Sequence, residues 1–196
     1  MKRYIRHIGI IFLIFSVLPS CDVLNQAAEV GRLQQCTFQV EGVNNIFLAG
    51  IELRQGMKST DLNSGQLMQL ANAAFQKNMP LSFNVMVRVK NPNTKTAALS
   101  RMDYRVFLDG VEMLSGQMNQ RYSIGPSSNT DVAVPVQLEL YKALSGQSAD
   151  AVSNIGFKLT GSSSKPVELL VKVKPYMQVG LTSLPYPGYI DIRKTL

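Results

Sequence analysis

Thirteen carboxylates, two thiols and a single imidazole are the groups in these 196 residues from which catalysis could most readily be built. The imidazole, His7, lies in the N-terminal stretch, so residues 21–196 contain no histidine. That removes serine or cysteine nucleophiles activated by imidazole, and the usual histidine-bearing zinc and non-haem iron sites. Carboxylate chemistry survives in principle. The acids are nevertheless dispersed singly: no spaced Asp/Asn run ends in Glu as a calcium loop would, and no pair is placed for glycoside hydrolysis. An enzyme would need Asp103, Asp109, Glu112 or Asp131 to converge in a cleft through folding alone. No catalytic residue, metal or cofactor is therefore expected. Cys36 has no cationic neighbour between Gln34 and Gln39 to lower its thiol pKa, and reads as a small buried apolar residue at the start of a strand.

The other thiol, Cys21, ends the tetrapeptide Leu18-Pro19-Ser20-Cys21. Upstream stand Lys2, Arg3 and Arg6, then an apolar run from Ile8 to Leu18, the charged-then-hydrophobic order of an export signal. The run is too short to span a bilayer, which takes about 20 apolar residues. Ser20 satisfies an ordinary secretory cleavage site, but Leu18 is too large for one. The pattern resembles the bacterial lipoprotein signal, in which a leucine three positions before an obligatory cysteine directs acylation of that cysteine. Pro19 is an unusual occupant of such a motif. The alternative is a plain secretory signal followed by an incidental cysteine. With acylation at Cys21, a disulfide to Cys36 is forbidden. The expected organisation is a signal peptide over 1–20, a lipidated tether over 21–35, partly helical around Leu24–Leu33, and a single domain over 36–196.

The formal charge is +7; three of those cations lie in the first twenty residues with no acid, which leaves +4 for the remainder. Basic residues are scattered among acids, so neither a nucleic-acid footprint nor a polybasic membrane patch stands out in the linear order.

The elements that would position these groups are mostly strands. Between Phe38 and Leu53 an imperfect alternation broken by Gly42 and Asn44-Asn45 predicts two short strands, or one strand with a bulge. Leu67, Leu70, Ala71, Ala74 and Phe75 follow helical spacing, with Asn63 or Ser64 as N-cap and Pro80 beyond the end, predicting an amphipathic helix within 64–78 laid against a sheet face. From Leu81 to Val89 the period becomes two: Leu81, Phe83, Val85, Val87 and Val89 point one way, Ser82, Asn84, Arg88 and Lys90 the other. Met102, Tyr104, Val106 and Leu108 repeat the pattern ahead of Asp109-Gly110, a tight hairpin turn into Val111. Val132, Val134, Val136, Leu138 and Leu140 form another such face, with Pro135 marking an edge strand or a bulge. A weaker helical stretch holds Leu144, Ala151, Val152 and Ile155, with Gly146 against it. Strands are then predicted at Ile155, Phe157 and Leu159 and at Val167, Leu169, Val171 and Val173. The tail from Leu184 to Tyr189 reads as a kinked connection into a last short strand, or as a docking segment for a partner's groove.

Asn91-Pro92-Asn93 directly follows the cleanest of these strands. Pro92 pushes Asn91 out of helical geometry and Asn93 tolerates a left-handed conformation, so the tripeptide turns the chain. After it come Leu99, Met102, Asp103-Tyr104, Asp109-Gly110, Gly116, Ile124-Gly125-Pro126 and Val134-Pro135-Val136. That order resembles the late embryogenesis abundant group 2 family, also called the water stress and hypersensitive response (WHy) domain, over about residues 80–174 and more loosely from Cys36. The resemblance implies an antiparallel β-sandwich of immunoglobulin-like or fibronectin-like character with one or two accompanying helices. It implies no catalytic activity, and Asn91, Pro92 and Asn93 as a structural signature. It also implies links to desiccation and stress tolerance, or to binding at membranes and partner proteins. The helix near Leu67–Phe75 and the Pro-Tyr-Pro tail lie outside the common core.

The expected function is a non-catalytic lipoprotein anchored in a bacterial cell envelope, the outer membrane before the inner. It would be stress-protective or bind envelope proteins or lipids, and no nucleic acid. The alternative is a carrier of a lipid or other apolar ligand, with methionines such as Met68, Met79, Met86, Met113 and Met118 lining the space.

Overall fold

The alternating apolar residues Leu81, Phe83, Val85, Val87 and Val89 are all buried, while Ser82, Asn84, Met86 and Arg88 between them are half-exposed. The computed structural model describes residues 28, 31–144, 149–162, 166–179 and 181–196. In chain order its elements are β1 (Thr37–Leu48), β2 (Ile51–Leu53), α1 (Ser64–Phe75), β3 (Pro80–Lys90), β4 (Ala97–Leu99), β5 (Arg101–Leu108), β6 (Val111–Met118), β7 (Tyr122–Ile124), β8 (Asn129–Glu139), α2 (Leu140–Ala143), α3 (Ala149–Leu159), β9 (Glu168–Val179), β10 (Thr182–Pro185) and β11 (Ile190–Thr195). A 3-10 turn, Ser59–Asp61, precedes α1.

The chain is mainly β, and every strand pairing is antiparallel. One sheet runs β2-β1-β3-β8, a second runs β10-β9-β5-β6 with β11 also on β9, and β4 pairs β7 in a small ladder. Inward residues of both large sheets join one core. Val40, Phe83, Val85, Val134 and Val136 come from the first, and Met102, Tyr104, Val106, Val171 and Val173 from the second. Half-covered antiparallel sheets of this kind keep one face wet, which the alternation records.

The Phe38–Leu53 stretch is one long strand followed by a short one. The register of β1 on β3 shifts between Val40 and Gly42 and again between Asn44 and Phe47, and Asn45 sits at φ 51. Asp109 and Gly110 take φ 48 and 79, the paired positive angles of a tight hairpin turn between β5 and β6. Pro135 lies in β8, which pairs with β3 alone and so is an edge strand.

Two expectations are corrected. Ile155, Phe157 and Leu159 belong to helix α3, not to a strand. Three alternating residues are too few to fix a period. Val152, Gly156, Phe157 and Leu159, spaced i, i+4, i+5 and i+7, are buried positions of the helix. At Gly156 a Cβ would lie 2.8 Å from Leu48 Cδ2, so its bare backbone is what lets α3 rest on β1. Gly146 lies outside the described residues, as does the side chain of Ala151.

Helix α1 exists where expected, with Asn63 and Gln66 in a reciprocal capping box (Gln66 N to Asn63 Oδ1 2.9 Å; Asn63 N to Gln66 Oε1 3.0 Å). Its predicted apolar stripe is split. Leu70 and Ala74 pack on the core, whereas Leu67 is 49% and Phe75 90% exposed. The helix's rotation is set by two hydrogen bonds, Gln69 Nε2 to the Ala49 carbonyl (2.7 Å) and the Tyr141 hydroxyl to the Ala74 carbonyl (3.2 Å). These turn the 66, 70, 73 and 74 side inward. At the other end of the chain, Leu33 is wholly buried in the core, so the packed body takes in residues ahead of Cys36.

Candidate functional site

Asn91 follows the last residue of β3, and its side chain is completely buried. An amide in that position must satisfy both of its ends or cost the fold dearly. Its Nδ2 donates toward three main-chain carbonyls: Lys95 (2.9 Å), Ile124 (3.0 Å) and Gly125 (2.9 Å). Its Oδ1 accepts from Asn93 N (3.0 Å) and Asn93 Nδ2 (2.6 Å), with the Cys36 thiol 3.9 Å away. The Asn91 N–H is taken by the Ser128 carbonyl at 2.9 Å.

Asn93 carries the network outward. Its Nδ2 also donates to the Arg32 carbonyl (3.0 Å), and Arg32 Nε in turn donates to the Thr96 carbonyl (2.6 Å). Its own carbonyl accepts from Ser127 N at 2.9 Å, where Ser127 stands at φ 45. Pro92 has no N–H to satisfy and lies exposed. The tripeptide thus joins three separate segments: residues 31–36, the 91–96 loop and the 124–128 turn. Among the described residues no buried side-chain nitrogen or oxygen lacks a partner. The Asn91 and Asn93 amides carry no charge, and the charged Arg32 guanidinium stands at the outer edge of the network.

The four acids that an enzyme would need are not brought together. Asp131 is on the outer face of the first sheet, gripped by Arg88 through two bonds (2.8 and 3.0 Å). Asp109 is at the β5–β6 turn, 3.4 Å from Lys158 and accepting from Glu168 N (3.0 Å). Asp103 and Glu112 lie on the outer face of the second sheet and border one open hollow of about 570 Å³. Glu112 is held by Arg105 (Nε to Oε1 2.9 Å). Asp103 accepts from Tyr176 (2.7 Å), Gln117 (3.0 Å) and Arg101 (3.1 Å), while the Arg101 guanidinium stacks 4.0 Å above the Tyr176 ring.

Their protonation follows from those partners. Arg105 and Arg88 hold Glu112 and Asp131 below the usual carboxylate range. For Asp103, burial pushes upward but is outweighed by the hydrogen bonds from Tyr176 and Gln117 and by Arg101, so it too is lowered. A general acid needs the opposite shift. Among the described residues no group of three His, Cys, Asp or Glu could hold a metal ion.

Cys36 is buried immediately ahead of β1, and burial pushes its thiol up to about 11. Cys21 lies outside the described residues. Three further hollows among the described residues, of about 390 to 520 Å³, are lined by α1 with Ala49 and Pro80, by the 58–60 turn with α3, and by residues 52–57 with Asp61 and Gln66. None is lined by inward residues of both large sheets. Met79, Met113 and Met118 are core fillers, and Met68 is 68% exposed.

Some contacts that hold the fold together gave no signal in the sequence. Tyr104 and Gly116 face each other across β5 and β6, and Glu139 caps α2. Their partners are set by strand register and by residues 60 positions away, as in the bond from Met79 N to Glu139 Oε1 (2.8 Å).

No curated protein matches the sequence. Among solved structures, the chain is similar to the crystal structure of a protein from Archaeoglobus fulgidus at 15% identity and a TM-score of 0.38, over 81% of this chain and 98% of that one. It is similar to the solution structure of a protein from Arabidopsis thaliana at 13% identity and a TM-score of 0.38, over 59% of this chain and 70% of that one. A third likeness, at 13% identity and a TM-score of 0.37, covers 96% of this chain and 88% of a solution structure described as a late embryogenesis abundant (LEA) protein. The family model LEA_2, late embryogenesis abundant protein, matches residues 86–186, which takes in the Asn91-Pro92-Asn93 turn and just over half of the chain. The chain belongs to the late embryogenesis abundant (LEA_2) family.

Proposed function

We propose that this protein is a non-catalytic lipoprotein of the bacterial envelope, in which a WHy-type LEA_2 domain is held on a membrane, the outer one first, through an acylated Cys21. The domain would work by contact, protecting envelope components under stress or binding a partner there. The observation that carries this reading is the buried polar network around Asn91. The family's turn motif is spent entirely on tying residues 31–36 to the strand ends, so the N-terminal segment enters the body at one defined end. That is a mechanical role suited to a tethered module.

The two sheets sharing one core support a sandwich of immunoglobulin-like or fibronectin-like kind. Four separately ion-paired carboxylates fit a surface for contact rather than for turnover. The apolar-ligand carrier draws no support from these four hollows among the described residues, each open to the surface. Among the described residues no helix is long and apolar enough to cross a membrane; in this reading the acyl chains on Cys21 supply the attachment. Each buried methylene contributes about 0.8 kcal/mol, and a single acyl chain binds only reversibly, so two or three chains on Cys21 would be needed for permanent attachment.

Cys21→Ala should move the protein from the membrane fraction to the soluble fraction of envelopes washed in high salt. Retention of the variant on washed membranes would dismiss the acyl anchor. For the stress role, a deletion strain should lose viability on drying or osmotic shock relative to its parent; equal survival would remove it.

A further inference from the structure

Cations that are scattered in the sequence are gathered by the topology. The pairings Thr37↔Lys90, Lys90↔Asn129, Met102↔Met118 and Arg101↔Tyr176 put residues 31–37, the 91–100 connection, the 119–128 connection and the β9–β10 hairpin at one common end of the strands. Arg32, Lys90, Lys95 and Arg121 lie there, the last three exposed. The segments 31–38, 90–102, 118–130 and 176–190 contain no Asp or Glu, and Asp103, one residue beyond the second, is taken up by Arg101 and Tyr176. At the hairpin, Leu181 is fully exposed and Leu184 is 42% exposed. The opposite end carries both signs, Asp109, Glu112, Glu139 and Glu168 beside Arg54, Lys58, Lys142 and Lys158.

We propose that this cation-rich end is a docking face for an anionic lipid surface, its cations meeting headgroups and the leucine at the hairpin entering the interfacial layer. The proposal rests on the membrane-anchored reading, because it supplies the orientation that reading lacks. Cys21 precedes Gly31 by ten residues, a stretch that spans at most about 35 Å. The far end of the body stands a further strand length away, on the order of 35 Å for an 11-residue strand such as β3. The tether therefore joins the body at its cationic end, which can meet the bilayer at any tether length, whereas the far end can do so only with the tether near full extension. A single protruding leucine beside positive charge suits a fluid interface, which closes around it without needing a shaped pocket.

The chain has no tryptophan, so L181W reports on the hairpin alone and M68W, on α1, reports on the opposite end. The full chain carrying either substitution is added to vesicles of phosphatidylcholine, with or without phosphatidylglycerol, with brominated acyl chains as quencher. The expected result is a blue-shifted, quenched L181W on anionic vesicles and an unquenched M68W. K90Q/K95Q should weaken low-salt binding to anionic vesicles about 25-fold, at roughly fivefold per charge. Co-flotation with L181W unquenched, M68W quenched as strongly, or a K90Q/K95Q effect below about twofold would overturn the docking face while leaving the tether intact. Quenching of L181W at low salt with complete release at high salt would instead support the face and dismiss the acyl anchor. Failure to bind any vesicle would overturn both.

Discussion

The hydroxyl of Tyr104 on β5 donates to the carbonyl of Pro135 on β8 at 2.8 Å, a bond that crosses from one sheet to the other. Pro135 has no N–H for the ladder, and β8 is an edge, so its carbonyl would otherwise lack a protein partner. The ring passes over Gly116, where a Cβ would come within 2.6 Å of Tyr104 Cζ. Tyr104→Phe should therefore cost about 1 kcal/mol, the usual net value of one hydrogen bond. Gly116→Ala should cost more, about 1 to 3 kcal/mol from overpacking against the ring. Urea denaturation of both variants checks the order. A Gly116→Ala variant as stable as the parent would mean that the ring can step aside.

Asn91 supports a second prediction, because its amide is shared among segments far apart in sequence. Asn91→Asp keeps the shape but replaces donors with a charge aimed at three carbonyls, and should cost about 3 kcal/mol or more. Asn93→Ala, at a partly exposed position, should cost about 1 kcal/mol. Near-equal losses in the two variants would contradict the central placing of Asn91.

These two residues also show what sequence reading can reach. The turn at Asn91-Pro92-Asn93 is legible, since proline and asparagine fix local backbone geometry. The carbonyls that receive the Asn91 amide are not, because Ile124 and Gly125 arrive by tertiary packing. Strands β3, β5, β8 and β9 are legible because one wet face enforces a strict alternation. The Tyr104–Gly116 contact escapes simple counting. Stepping outward from the Asp109-Gly110 turn pairs Tyr104 with Ser115, and only the register shift between Val106 and Phe107 brings Gly116 opposite. Helical spacing located α1, yet its orientation was decided by hydrogen bonds from Gln69 and Tyr141, which leave Phe75 outside. The cationic end is invisible in linear order for a similar reason: its four charges come from three different connections and one strand end.

Glu139 links stability to pH. Its carboxylate accepts from Met79 N (2.8 Å), Tyr141 N (3.2 Å) and Lys142 N (2.9 Å), capping α2 and closing the start of β3. Burial alone would raise its pKa, but those three N–H groups outweigh it and the net shift is downward. A carboxyl with a lowered folded pKa stabilises fully above its unfolded value, about 4.3, and loses that contribution as pH falls through the folded value. Glu139→Gln should cost about 1 kcal/mol at neutral pH, as loss of a good cap does. The difference from the parent should shrink on acidification below pH about 4.3. A difference that stays constant from neutral to acid would show that the charge of Glu139 contributes nothing.

Cys36 should be inert for reasons that its surroundings make quantitative. Its pKa is pushed from 9.0 to about 11 by burial, so at any neutral pH the thiolate fraction falls about 100-fold, ten for each unit. In a Cys21→Ala chain, alkylation of native Cys36 by iodoacetamide should be at least about 100-fold slower than in urea, and slower still because the sulfur is covered. Cys36→Ala should cost less than about 2 kcal/mol, since the thiol contributes only weak polar contacts, 3.4 Å to the Arg32 carbonyl and 3.9 Å to Asn91 Oδ1. Rapid labelling of the native chain would mean that residues 31–36 open readily. That outcome would also weaken the view that the Asn93 and Arg32 bonds fix where the N-terminal segment joins the body.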